Sequence, residues 1–278
     1  MSILNRTILG SVLGGAAFLG CPAQADIVYG VSAGTGQLFS FNSAAPGTLD
    51  SAVTLTGMAN GEQISTIDIV SGVLYGLGDE SHLYTINPSS GACSLVGSGA
   101  FSPVLNGVDF GLTAGPGLFY VSSDLGQNLS LSIAGIATAS PNYTGVSLTS
   151  LAYDPVNAFL YGISASSHDL YSLNPSTGGA TLIGSIGLNF TDLGFTISSS
   201  GDAYVAGNLG NQTALFSVNL SSGALTTMGD IGLPGQLNDG LTGIAVAPIT
   251  VPEPGIAGLA ALGSGFLLLA YRKRRFYR

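Results

Sequence analysis

Apolar and polar residues alternate in short runs through the middle of this chain, and the runs return at a nearly fixed interval. Val28-Tyr29-Gly30, Leu74-Tyr75-Gly76, Phe119-Tyr120-Val121, Leu160-Tyr161-Gly162 and Ala203-Tyr204-Val205 align, with tyrosines 46, 45, 41 and 43 residues apart. After each comes a turn-rich loop and a second run: Leu38-Phe39-Ser40-Phe41, Leu83-Tyr84-Thr85-Ile86, Leu129-Ser130-Leu131, Leu170-Tyr171-Ser172-Leu173 and Leu215-Phe216-Ser217-Val218. Short runs of this composition, bounded by turn residues, read as strands. Two copies continue as Asn87-Pro88-Ser89-Ser90-Gly91 and Asn174-Pro175-Ser176-Thr177-Gly178. Asn opens a turn, Pro presets its φ and Gly takes the left-handed position, so these are reversals between antiparallel strands. A third strand follows, as at Thr181-Leu182-Ile183-Gly184 and Leu225-Thr226-Thr227-Met228-Gly229.

A fourth strand precedes the tyrosine strands at 65–69, 106–110, 150–154 and 192–196, and one more lies at 242–246 with no tyrosine strand after it. The first tyrosine strand has no such strand before it. Joining the two ends completes five four-stranded units, so the pattern predicts an all-β fold over residues 26–248. The expected architecture is a β-propeller of five blades, closed by pairing of the N- and C-terminal strands. A β-sandwich also has short strands at regular spacing. Repeat length and circular completion favour the propeller. The third unit is the weakest, because 133–140 lacks the Asn-Pro-Gly turn.

Charge narrows the function classes. All six Lys and Arg sit at the ends of the 278-residue chain, whereas residues 26–250 hold 14 Asp or Glu and no Lys or Arg. Nothing in that span can neutralise phosphates, which excludes nucleic acid as a partner. Stability must come from apolar burial and sheet hydrogen bonds, because no Lys or Arg is there to form internal salt bridges. Cys93 lies in an apolar strand pattern and reads as a small buried hydrophobe.

In the predicted propeller, one face carries the loops leading into each innermost strand and those joining the second strand to the third. Glu62, Asp79, Glu80, Asp124, Asp169, Asp192, Asp230 and Asp239 map there, with His82 and His168 in equivalent loops. An acidic mouth of this kind suits a divalent cation such as Ca2+, or a polar saccharide held by carboxylate acceptors. The plainer reading is that charges occupy exposed loops and keep the surface soluble. No ligand-dense Asp-x-Asp-x-Asp-Gly loop occurs, and no zinc spacing, nucleophile elbow, P-loop or dinucleotide fingerprint. Asp68 and Asp109 are expected at one register of two innermost strands, with Tyr153, Phe195 and Ala245 in that place elsewhere. Such a carboxylate pair would suit glycoside hydrolysis only at the right separation.

The ends read as addresses. Arg6, an apolar run from 8 to 19 and Ala23-Gln24-Ala25 form a secretory signal peptide over residues 1–25, with cleavage after Ala25. Phe18-Leu19-Gly20-Cys21 is a poor lipobox and leaves a lipoprotein anchored at Cys21 as a minor alternative. At the other end a linker, 249–254, holds Val251-Pro252-Glu253-Pro254. An uncharged stretch, 255–271, follows; as a helix its 17 residues span about 26 Å, just enough for a transmembrane helix. The tail, 272–278, opens with Arg272-Lys273-Arg274-Arg275, whose charge favours the cytoplasmic side. On physics alone this is a C-terminal anchor with a stiff linker.

These last 28 residues resemble the PEP-CTERM sorting signal of exported Gram-negative and cyanobacterial proteins. The resemblance implies recognition and cleavage near Pro-Glu-Pro by exosortase, a membrane protease, and an association with exopolysaccharide and biofilm matrix. The repeats over 26–248 resemble an uncharacterised family of bacterial exported propeller proteins; this implies a scaffold and adds no catalytic residues. The expectation is a non-catalytic binding or structural propeller, held transiently in the inner membrane with its C-terminus in the cytoplasm and then sorted to the cell surface or beyond. The alternative is a secreted carbohydrate-active hydrolase or lyase working through carboxylates at the propeller mouth.

Overall fold

The computed structural model describes residues 25–32, 34–59, 61–164, 166–210, 212–232 and 241–247. Apart from Ala25, the expected signal peptide, Pro-Glu-Pro motif, membrane helix and basic tail lie outside the described residues, as does Asp239. The described residues form twenty strands and no helix. The first blade takes β1 (Ile27–Ser32), β2 (Gln37–Asn42) and β3 (Leu49–Thr54). The second holds β4 (Ile64–Val70), β5 (Val73–Gly78), β6 (Leu83–Ile86) and β7 (Cys93–Val96), and the third β8 (Phe110–Gly115), β9 (Leu118–Ser123), β10 (Asn128–Ser132) and β11 (Ala137–Ala139). The fourth comprises β12 (Ser150–Asp154), β13 (Phe159–Ser164), β14 (Asp169–Asn174) and β15 (Gly179–Ser185). The fifth comprises β16 (Leu193–Ile197), β17 (Ala203–Leu209), β18 (Gln212–Val218) and β19 (Leu225–Asp230), and β20 (Leu241–Val246) ends the series.

Each blade is one antiparallel sheet. Four run in chain order, whereas the first has the order β20-β1-β2-β3. Ile244 pairs with Gly30 and Ala245 with Tyr29, so the last strand is the innermost strand of the first blade. The innermost strands β20, β4, β8, β12 and β16 pack against one another in a closed ring. The protein is therefore a five-bladed β-propeller, closed by its two ends as the repeat count predicts.

Local chemistry accounts for the blade. At the reversals into the outermost strand, Asn87 Oδ1 accepts the N–H of Ser89 (2.9 Å) and Asn174 Oδ1 that of Ser176 (3.1 Å), with Gly91 and Gly178 at φ of +73° and +71°. Asn219 does the same for Ser221 (2.9 Å) without a proline. The tyrosine strand's glycine makes room for the core: a Cβ on Gly76 would lie 2.8 Å from Ile86 Cδ1, and one on Gly162 2.8 Å from Leu173 Cδ1. At the axis the crowding is between backbones. A Cβ on Gly194 would meet Ile244 N at 2.6 Å, and one on Gly243 Thr66 Cα at 2.7 Å. Between blades the filling is aliphatic and aromatic, as where Phe195, Val205 and Phe216 pack with Ala152 and Ile163.

The third blade departs from expectation. Its innermost strand is Phe110–Gly115 and not 106–110. Val108 and Asp109 instead belong to the loop leading into it, where their N–H groups point at Asp124 Oδ1 (3.0 and 3.4 Å). Gly111, Ala114 and Gly115 give the true strand a weak β signature. Its outer strand is only three residues long, and Ser132 Oγ replaces the Asn side chain, accepting the N–H of Ile136 (3.1 Å).

Candidate functional site

The innermost strands begin at one end of the ring and finish at the other, and a cavity lies at each end. At the leading end a cavity of about 160 Å³ is lined by Gln63, Ser65, Asp79, Asp109, Thr149, Thr191, Asp192 and Thr242, with Val108, Phe110 and Leu193. Gln63, Asp109 and Asp192 take equivalent places: the carbonyl of each accepts the N–H of Asp79, Asp124 and Asn208 respectively (3.0 Å each). A polar residue just ahead of the innermost strand is thus repeated in the second, third and fifth blades and lines the mouth. Asp109 is held above the usual carboxylate range, first by burial and then by the neighbouring charges of Asp124 and Asp192.

Of the eight acidic residues expected on this face, Asp79 and Asp192 line the mouth. Asp79 Oδ1 also accepts the N–H of Gln63 (2.9 Å) and Asp192 Oδ2 faces Asn208 Nδ2 (3.5 Å). Asp124 is used up in holding the Val108–Asp109 loop. Asp169 Oδ2 meets the Tyr171 hydroxyl (3.5 Å), and Asp230, exposed at the end of β19, meets Gln212 Nε2 (3.5 Å). Neither lines the mouth, nor does the exposed Glu80. Asp109, Gln63 and the threonines complete the mouth and were not among those eight. For Gln63, Asp109 and Thr149 the signal is positional, the residue one step before an innermost strand, and for Asp109 it depends on where the third blade's strand begins.

Glu62 is buried beneath this face. Its carboxylate accepts the Tyr84 hydroxyl and the N–H of Glu80 (3.2 Å), and His82 Nδ1 lies 3.0 Å from Oε2. Because the carboxylate only accepts, Nδ1 carries the proton of this bond. Burial, followed by the bond to Glu62, pushes the Tyr84 phenol up to about 12. A Cβ on Gly78 would sit 2.0 Å from Glu62 Oε1, so glycine there is what admits the carboxylate. His168 has no such role: it occupies the left-handed position (φ +56°) of its turn, matching Ser81 (φ +69°) in the second blade. Among the described residues, no group of three or more His, Cys, Asp or Glu is arranged to hold a metal ion.

The expected pairing of Asp68 with Asp109 does not form. Opposite the tyrosines Tyr75, Tyr120, Tyr161, Tyr204 and Tyr29 stand Asp68, Thr113, Ala152, Thr196 and Ala245, so Thr113, Ala152 and Thr196 are the true counterparts of Asp68. Asp109 lines the cavity at the leading end and Asp68 the one at the far end, about 280 Å³, with Thr113 and Tyr153. Asp68 Oδ2 accepts the N–H of Ala114 (2.6 Å) and the Thr113 hydroxyl (3.1 Å), while Oδ1 accepts the N–H of Ile69 (2.7 Å). Thr113 Oγ1 in turn accepts the N–H of Tyr153 (3.0 Å), which ties β4, β8 and β12 together. Burial raises the Asp68 carboxyl to about 6 even against these bonds. Cys93 is buried and its thiol is pushed up to about 11 by that burial, in keeping with a packing role.

Among solved structures, the fold is similar to a chain of a nidogen/laminin complex, at 13% identity over 80% of this chain and 98% of that one, with a TM-score of 0.50. It is also similar to a structural genomics protein of unknown function from Bacteroides thetaiotaomicron VPI-5482, at 17% identity over 82% of this chain and 68% of that one, with a TM-score of 0.52. Identities this low speak for the fold alone. No curated protein matches the sequence. One family description matches twice in succession, at residues 37–142 and 137–245, as expected for a chain of repeated blades. The chain belongs to that family, described as a domain of unknown function, DUF4394.

Proposed function

We propose that this is an exported, non-catalytic propeller that contacts polysaccharide at its polar mouth and is sorted by its PEP-CTERM tail to the cell surface or extracellular matrix. The observation that carries the binding part is the cation-free mouth, where Asp79, Asp109 and Asp192 stand among Gln63, Thr149 and Thr242. Carboxylate, amide and hydroxyl groups arranged around one opening suit the hydroxyls of a sugar ring. They do not suit phosphate, because no Lys or Arg lies between residues 26 and 250. Titration calorimetry against neutral oligosaccharides tests this, with the Asp109→Asn, Asp192→Asn double variant as control. Heat with the native mouth and at least a tenfold loss in the variant is expected; no heat with any glycan sinks the binding reading.

The sorting part rests on Val251-Pro252-Glu253-Pro254, the apolar 255–271 and Arg272 to Arg275. Mass spectrometry of the product exported by an exosortase-bearing host is expected to find truncation near Pro252 to Pro254. An intact C-terminus at Arg278 would overturn it.

The Glu62–His82 pair favours a second reading, a carbohydrate-active enzyme, because a buried carboxylate orienting an imidazole is a general-base arrangement. Neither residue lines the mouth cavity. Turnover of a glycan by the native protein, lost in His82→Ala, would establish this reading over the first.

A further inference from the structure

Asp26 is 4% exposed, at the point where the first blade meets the fifth. Its Oδ2 accepts the hydroxyl of Tyr204 on β17 (2.8 Å), its N–H donates to Ser43 Oγ (3.0 Å), and its carbonyl accepts the N–H of Ser43 (2.8 Å). Its other carboxylate oxygen, Oδ1, is buried with no hydrogen-bond partner among the described residues. A buried carboxylate oxygen without a donor is costly, and the usual remedy is a cation. Among the described residues none is at hand. There is no Lys or Arg from residue 26 to residue 250, His82 is engaged by Glu62, and His168 sits in a turn of the fourth blade. The titratable groups facing Asp26 are Tyr204 and, beyond it, Asp202, both acids.

The chain can supply a cation itself. While the Ala25–Asp26 bond is intact, the Asp26 nitrogen has one proton, and Ser43 takes it. Hydrolysis adds the hydroxyl of water to the Ala25 carbonyl carbon and a proton to the Asp26 nitrogen, and at neutral pH that nitrogen binds a further proton. The resulting ammonium has three donors, one for Ser43 Oγ and two that the amide lacked, on the same residue as the unpartnered Oδ1.

We infer that cleavage after Ala25 turns the Asp26 nitrogen into the buried counter-ion of the Asp26 carboxylate, so that removal of the leader strengthens the junction between the first blade and the fifth. This rests on the export reading above, and the experiment separates the two. The N-terminus of the exported full chain is read by mass spectrometry. A start at Asp26 is expected; a cut at another bond overturns this inference alone, and an uncut leader overturns both.

The chain 26–278 and the chain 24–278, the latter keeping Gln24 and Ala25, are then melted in the same detergent. The shorter chain is expected to melt about 3 °C higher at pH 7. A free α-amine titrates near 8, and the carboxylate raises that value in the folded state. The increment is thus full below about pH 8 and lost as the pH rises through the raised value, so the two curves converge by about pH 10. Asp26→Asn in both chains should erase the difference. If that variant fails to fold, acetylating the α-amine of 26–278 should lower its melting point to that of 24–278. Equal melting at pH 7, or a difference that persists after acetylation, overturns the inference.

Discussion

Asp68 and Glu62 are both largely enclosed carboxylates, each held by its own set of donors. Asp68 titrates at about 6 in the fold against 3.8 when free, so the folded state holds the extra proton between those values. Stability from this group is therefore full below about pH 4 and falls as the pH rises to about 6, by up to roughly 3 kcal/mol. Urea midpoints at pH 4 and pH 7 should show a larger fall with rising pH in the native chain than in Asp68→Asn, which carries no proton to lose. Glu62 accepts from Tyr84, His82 and the Glu80 backbone, so Glu62→Ala strands a buried phenol and is expected to cost about 3 kcal/mol by denaturant unfolding. Both residues were visible in the sequence as acids near strands, but their roles were not. An acceptor that caps a loop and one that awaits a ligand have the same residue type and the same loop. Only the N–H groups aimed at Asp124 and Glu62 tell the two apart.

At the level of the strand, glycine divides into two kinds with different tolerance. The Cβ that Gly76→Ala adds meets side-chain methyls only, Ile86 Cδ1 at 2.8 Å and Ile64 Cγ2 at 2.9 Å, which can give more readily than the backbone of β20 that Gly194→Ala meets. About 1 kcal/mol is expected for the first and about 3 kcal/mol for the second, measured by urea unfolding. Equal costs would mean that the axis is looser than its backbone contacts indicate. The tyrosine strands and the Asn-initiated reversals were legible because their chemistry is local: alternation, Asn, then Gly. The third innermost strand was not, since Phe110–Gly115 is rich in Gly and Ala while the loop ahead of it, Val108-Asp109, alternates like a strand. The shifted register moved Asp109 along the axis and left it out of the predicted acidic mouth, because side-chain facing in a ring depends on register to the single residue.

The closed ring is a property of the whole molecule, and the sequence carried it in the count of strands: one unpartnered strand at each end of the repeat. Where residues touch across blades was beyond that count, as with Asn128 Nδ2, which reaches the carbonyl of Pro175 in the next blade (2.8 Å). A chain ending before Leu241 would leave β1 without its inner neighbour and β16 and β4 without the strand between them. It is expected to lose its cooperative thermal transition, followed by tyrosine circular dichroism because the protein has no tryptophan. The pairing of β1 with β20 also bears on the order of events during synthesis. A chain made from its N-terminus produces β1, β2 and β3 first, yet theirs is the last blade to be finished. The other four blades are contiguous and can form as they emerge, while β1 keeps an open edge until Leu241–Val246 arrives. An edge left open that long is a template for pairing with other chains, so the hazard of aggregation is greatest in the oldest part of the molecule and ends only when its youngest strand is in place.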